Sequence, residues 1–155
     1  MKIIDITGEL IIDHRSREWC KLPYPNHPKG CPNYGNSIEC PPIIKVVEEI
    51  FDLEKSHWFI VTSFNLKEFS KRMKIKHPEW SEKQTRCCLY WQNTPRKELR
   101  IAIEEFKIKY PNTISTLIPE AMGVHVMGTV RKFGIPIKTK PTDIIYKIAL
   151  VGYKK

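Results

Sequence analysis

The stretch Trp58-Phe59-Ile60-Val61-Thr62, followed by Leu66-Lys67-Glu68-Phe69-Ser70-Lys71-Arg72-Met73-Lys74-Ile75, decides the fold class. The first five residues are aromatic or β-branched and uncharged, which predicts a buried strand. The next ten predict a short basic helix. Strand and helix then continue to alternate toward the C-terminus. Trp80 to Trp91 predicts a helix, with Ser81 as its cap and Gln84 three residues on. Pro95 opens another, carrying Leu99, Ala102, Ile103 and Phe106 on one stripe and closing at Tyr110-Pro111. Ile114 to Ile118 is a candidate strand, Pro119 to Lys132 a helix ending at Phe133-Gly134, and Asp143 to Tyr153 a closing strand. Toward the N-terminus, Pro42 suits the first turn of a helix bearing Ile43, Val47, Ile50 and Phe51 on one face. Residues 1–14 alternate apolar and polar around Thr7-Gly8, which predicts a β-hairpin. The expected architecture is α/β. It comprises one compact domain over residues 1–155 and a mixed sheet with an N-terminal β-hairpin, together with four or five helices.

A chain of 155 residues with 41% hydrophobic and 28% charged residues is ordinary for a single globular domain. Asp5, Glu9 and Asp13 interrupt the first apolar run, so neither a signal peptide nor a membrane span is expected there. The expected location is the cytoplasm. The net charge of +9 is unevenly spread. Residues 1–40 carry five basic and five acidic side chains. Residues 119–155 carry seven basic ones (Arg131, Lys132, Lys138, Lys140, Lys147, Lys154 and Lys155) against Glu120 and Asp143. This basic C-terminal segment is either a surface for RNA or another polyanion, or a plain solvated face.

Residues 20–42 break the pattern. Six prolines and two glycines leave no room for a helix or a central strand, so an irregular loop is expected. Long loops inside a compact domain need something to hold them. This one contains Cys20, Cys31 and Cys40, the last two each followed by proline. Cys87 and Cys88 lie together farther along. In a reducing compartment five cysteines are a poor disulfide framework, and an odd number a poorer one. The ten- and eight-residue gaps in the loop are wider than the pairing of zinc fingers and ribbons. Cysteine before proline is the dipeptide that ends the binding run of bacterial ferredoxins. An iron–sulfur cluster, most simply of the 4Fe-4S type, is therefore expected at this metal-binding loop. Zinc is the alternative cofactor, with His27 then a possible ligand. Cys87 and Cys88, placed on a helix, would point about 100° apart. One of them could complete the set while the other packs in the core. Otherwise three loop cysteines would leave one iron open beside a reactive thiol.

Cys20, Cys31-Pro-Asn-Tyr-Gly and Cys40-Pro-Pro, taken with Glu120-Ala-Met-Gly-Val-His-Val, resemble a family of predicted metal-binding proteins of unknown function. These are small, cysteine-rich proteins, mostly archaeal or bacterial. The resemblance covers both ends of the chain and leaves residues 43–118 largely uncovered. It implies a cysteine-held metal and a Glu-Ala-x-Gly helix start. Family members carry a further cysteine cluster ahead of that segment. Here residues 89–118 contain no cysteine, so one site is carried over rather than two.

Other motifs have plain explanations. Gly123, Gly128 and Gly134 make no phosphate loop, and neither a Gly-x-Ser-x-Gly nor a His-Glu-x-x-His pattern occurs. Glu120 would sit favourably near a helix start, and His125, on the same predicted helix but another face, is expected to be partly buried and structural. Trp80, Tyr90 and Trp91 are either stacking surfaces for bases or core aromatics. Two functions remain: an iron–sulfur protein in electron transfer or sulfur chemistry, its redox or sulfur-transfer partner open, or a zinc-stapled nucleic-acid-binding module without catalysis. A third reading, incidental cysteines in an interaction protein, predicts that replacing the loop cysteines leaves folding unchanged.

Overall fold

The computed structural model describes residues 1–23 and 27–155. Its centre is the strand anticipated around Trp58. This strand runs over His57–Asn65, with both faces covered from His57 to Thr62. Asn65 ends it and caps the helix that follows, its side-chain oxygen accepting from the Glu68 amide at 3.0 Å.

Four strands form one sheet: β1 (Lys2–Asp5), β2 (His57–Asn65), β3 (Thr113–Thr116) and β4 (Ile144–Tyr153), in the order β1-β2-β4-β3. Every pairing is antiparallel, so the sheet is not the mixed one expected. Among the described residues five α-helices accompany it: α1 (Val47–Ile50), α2 (Leu66–Lys76), α3 (Glu82–Thr85), α4 (Asn93–Lys109) and α5 (Val126–Arg131).

Because strand side chains alternate, the register of β2 on β4 sorts the core into two halves. Phe59 opposite Leu150 and Val61 opposite Ile148 face one side. There they meet Ile4, Ile6, Val47, Phe51, Met122, Val124, Val126 and Val130. Trp58 opposite Val151 and Ile60 opposite Ala149 face the other. That side is closed by the α4 stripe of Leu99, Ala102, Ile103 and Phe106, all buried as the spacing predicts. Removing a side chain such as Phe59 or Leu150 from water contributes about 1.5–3 kcal/mol each. The sheet is thus a middle layer, with α4 on one face and the N-terminal segment, α1 and residues 119–137 on the other.

The predicted N-terminal hairpin does not form. Gly8 turns the chain at φ +75°, but β1 pairs with Trp58–Val61 of β2 instead of with its own return run. That return run docks elsewhere, Ile12 making an isolated bridge to Val124. The helix expected from Pro42 is confined to Val47–Ile50. Before it, the Ile43 and Ile44 amides both turn back to the Cys40 carbonyl at 3.0 Å. The helix expected over 80–91 also splits. Ser81 caps it as foreseen, accepting from the Gln84 amide at 3.1 Å. It stops after Thr85, and a 3-10 turn follows at Cys88–Tyr90. Trp91 explains the break: its ring is buried, stacks on Phe64 at 5.3 Å and donates to the Arg86 carbonyl at 3.0 Å. The helix expected over 119–132 divides at Gly123, whose φ of +92° separates a 3-10 turn at Pro119–Met122 from α5.

Candidate metal centre

Three elements far apart in sequence build the site. Cys20 lies near the end of a 3-10 helix, His14–Lys21, capped by Asp13 through the Arg15 amide at 3.1 Å. This helix is moored to the turn carrying Glu120. Ser16 Oγ donates to the Glu120 carbonyl at 2.7 Å, the Asp13 amide donates to the Gly123 carbonyl at 2.8 Å, and Trp19 meets His125 edge-on at 5.5 Å. Cys31 is brought to Cys20 by the backbone itself, its amide donating to the Cys20 carbonyl at 2.6 Å. That approach requires Gly30. Its φ is +85°, and a Cβ there would lie 2.5 Å from the Cys20 carbonyl oxygen and 2.6 Å from the Lys21 carbonyl carbon.

Cys40 sits in a run of turns, its amide donating to the Ser37 carbonyl at 3.0 Å and the Gly35 amide to the Pro41 carbonyl at 2.7 Å. The Pro41–Pro42 peptide is cis. Arg17, on the same 3-10 helix as Cys20, clamps this arm by donating to the carbonyls of Ile44 at 2.5 Å and Pro42 at 3.3 Å. Main-chain turns and one guanidinium therefore hold the loop, with the cysteines superimposed on that frame.

The electrostatics join the same residues. Burial, chiefly, raises the pKa of the Cys20 thiol, followed by the charges of Cys31, Cys40 and Glu120. No cation is among the groups acting on it. Glu120 itself is raised by burial, partly offset by its own backbone hydrogen bond and by Lys147. Glu120 nevertheless keeps an exposed surface. All five cysteines carry free thiols, and Cys20, Cys31 and Cys40 are half-buried. Among the described residues, no group of three or more His, Cys, Asp or Glu side chains is drawn together tightly enough to hold a metal ion.

Cys87 and Cys88 lie farther along the chain. They do not share a helix: Cys87 precedes the 3-10 turn that Cys88 begins. Both line a cavity of about 760 Å³ with His27, Tyr90 and Trp91. Cys88 is exposed and acts electrostatically on Lys147; neither cysteine is among the groups acting on Cys20. Cys31, Cys40 and Glu120 thus act on Cys20, while Cys87 and Cys88 line a cavity that the loop residue His27 also lines. Glu120 is the residue whose placement the sequence reading missed. The signal was the Glu-Ala-Met-Gly run, whose glycine turns the chain and so keeps Glu120 on a short turn instead of a long helix. His125 is half-buried and structural, as expected, its Nδ1 accepting from the Gly128 amide at 2.9 Å to cap α5.

Four of the seven basic residues of the tail have protein partners. Lys132 pairs with Glu9 at 3.2 Å and Lys138 with Asp143 at 2.6 Å. Arg131 donates to the Ile137 carbonyl and Lys155 to the Glu48 carbonyl. Of the three aromatics considered for base stacking, Trp91 is core, while Trp80 lies between His77 and Tyr90 at 4.0 and 5.0 Å near the surface. Among the described residues, no helix is long and apolar enough to cross a membrane. No protein-family model, curated protein or solved structure matches the chain.

Proposed function

We propose that the chain is an iron–sulfur protein of the reducing cytoplasm, with Cys20, Cys31 and Cys40 as cluster ligands, acting in electron transfer or sulfur chemistry. The observation that carries this reading is the convergence of three cysteines and Glu120 from separate elements, with no cation acting on Cys20. Groups that all become negative on ionisation repel one another, and a cationic occupant removes that penalty. Thiolates are the ligands iron–sulfur clusters take. Cys31 and Cys40 both act on Cys20, and the two loop Cys-Pro steps match the dipeptide that ends the binding run of bacterial ferredoxins better than the close pairing of zinc sites. Such a cluster supplies a one-electron couple, or a Lewis-acidic iron where a position is left without a cysteine. Glu120 is a further oxygen donor among the groups acting on Cys20. The resemblance to predicted metal-binding proteins supports the same reading.

Purification without oxygen, with iron, zinc, acid-labile sulfide and visible absorption measured together, tests it. The expected result is a brown protein with about four iron and four sulfide per chain. Replacing Cys20, Cys31 and Cys40 together by serine removes the colour, whereas Cys88→Ser keeps it. A colourless protein with one tightly held zinc would replace this reading with a zinc-stapled module. Absence of both metals from anaerobically purified protein would refute each.

A further inference from the structure

We propose that the cavity between α4, the end of β3 and the flank of β4 binds the phosphate group of a small organic phosphate ester through Arg96, Arg100 and Lys147. The cavity follows from the unequal strand lengths. β3 pairs with Leu150–Tyr153, so among the described residues the flank of β4 from Ile144 to Ala149 has no strand beside it there. A space of about 690 Å³ opens at this step, within the size range of small-molecule sites. Arg96 and Arg100 are four residues apart on α4 and so share a face. Lys147 projects from β4, while Ser115 to Ile118 close the side where the chain leaves β3.

Charge argues for the occupant. Among the described residues, none of the three cations has a carboxylate in ion-pair range or a hydrogen-bond acceptor. Lys147 is half-buried, and its ammonium pKa is lowered first by that burial and then by Arg96. Glu120 and Cys88 act in the opposite sense. Arg96 and Arg100 are exposed and Lys147 is half-buried, and all three line one hollow. Among the described residues lining it Glu39 is the only acidic one, so the lining itself carries three positive charges against one, an excess of two that matches a phosphate monoester dianion. Guanidinium pairs are suited to planar, forked recognition of phosphate oxygens. Leu99, Leu117 and Ile148 add an apolar wall for the organic part. Thr116 Oγ1 accepts from the Ile118 amide at 3.2 Å, leaving its own hydrogen for a ligand oxygen. The site stands whether or not the cysteines carry metal.

Equilibrium dialysis of the full chain, as purified, against inorganic phosphate, phenyl phosphate and acetate at constant ionic strength tests the proposal. Saturable binding of one phosphate per chain is expected, with phenyl phosphate tighter than inorganic phosphate. Acetate should bind at least about tenfold more weakly, since it forms fewer charge-assisted bonds. Arg96→Gln with Arg100→Gln should weaken phosphate about tenfold or more. Lys67→Gln with Lys71→Gln, on another basic face, should change nothing, with thermal melts confirming that both double variants fold. Non-saturable uptake, equal affinity for acetate, or indifference to the Arg96 and Arg100 changes would overturn it. So would tight binding of a single-stranded RNA that phenyl phosphate fails to displace.

Discussion

Substituting Gly30 by alanine separates the contribution of close backbone approach from that of backbone conformation. At φ +85° an alanine pays the left-handed cost of about 1–2 kcal/mol. Its Cβ would also stand 2.5 Å from the Cys20 carbonyl oxygen, whereas ordinary contact begins near 3.4 Å. The two arms must therefore part by about 0.9 Å, the difference of those distances, and both sides of the clash are backbone. That separation stretches the 2.6 Å bond from the Cys31 amide to the Cys20 carbonyl beyond use, a further loss of about 0.5–1.5 kcal/mol. The sum is about 1.5–3.5 kcal/mol, confined to the loop, because the sheet lies elsewhere. Gly35→Ala is the matched control: φ is +74° and nothing lies within 4 Å of its added Cβ. It pays the conformational term alone. Iron bound per chain after anaerobic purification is the assay, with urea unfolding of the metal-free proteins beside it. Gly30→Ala should lose most of its iron while Gly35→Ala keeps it. Equal iron in the two variants would refute the claim that close approach of Cys20 and Cys31 assembles the site.

Three further outcomes are expected. Phe59→Ala removes a fully buried ring at the crossing of β2 and β4 and should cost about 3–5 kcal/mol in urea unfolding, with iron lost only as the fold is lost. The metal-free chain should lose stability on the alkaline side. The Cys20 thiol holds its proton more tightly when folded, so this contribution is complete below the ordinary thiol value of 9.0 and disappears as pH rises through the raised folded value. Cys20→Ser should flatten that limb of a stability profile, and an unchanged limb would contradict the electrostatic picture. Asp13, lowered to about 2 chiefly by its hydrogen bond from Arg15, behaves oppositely: its contribution is present above the ordinary 3.8 and is lost as pH falls toward 2. A side-chain NMR titration showing Asp13 ionising near its ordinary value would disprove the pairing.

Elements specified by their own residues were legible in the sequence. The α4 stripe needs only helical spacing, and Ser81 needs only an amide three residues on, so both are found where they were read. The strand at Trp58 is a property of five consecutive side chains. Misreadings arose where a distant partner decided the outcome. Thr7-Gly8 announces that the chain reverses, but not that Lys2–Asp5 will pair with a strand more than fifty residues away. Trp91 ends a helix because its ring is needed against Phe64. In the site, the three loop cysteines were visible as residue types in a proline-rich run. That Glu120 acts on Cys20, and Cys88 on Lys147, depends on a fold that composition cannot encode. The cation-lined cavity was wholly hidden, since its three charges come from a helix and a strand forty-seven or more residues apart.

The mooring of the N-terminal segment has a consequence for biosynthesis. Ile11 bonds Thr129 across 118 residues, Ser16 bonds Glu120 across 104, and Ile12 bridges Val124. Chains emerge from the ribosome N-terminus first, at about 5–20 residues per second. Cys20, Cys31 and Cys40 are therefore exposed for several seconds before the segment that secures them has been made. Until then three thiols travel on an unanchored arm, open to oxidants and to stray metal ions. The nascent chain is thus the stage at which a reducing environment matters most to these thiols.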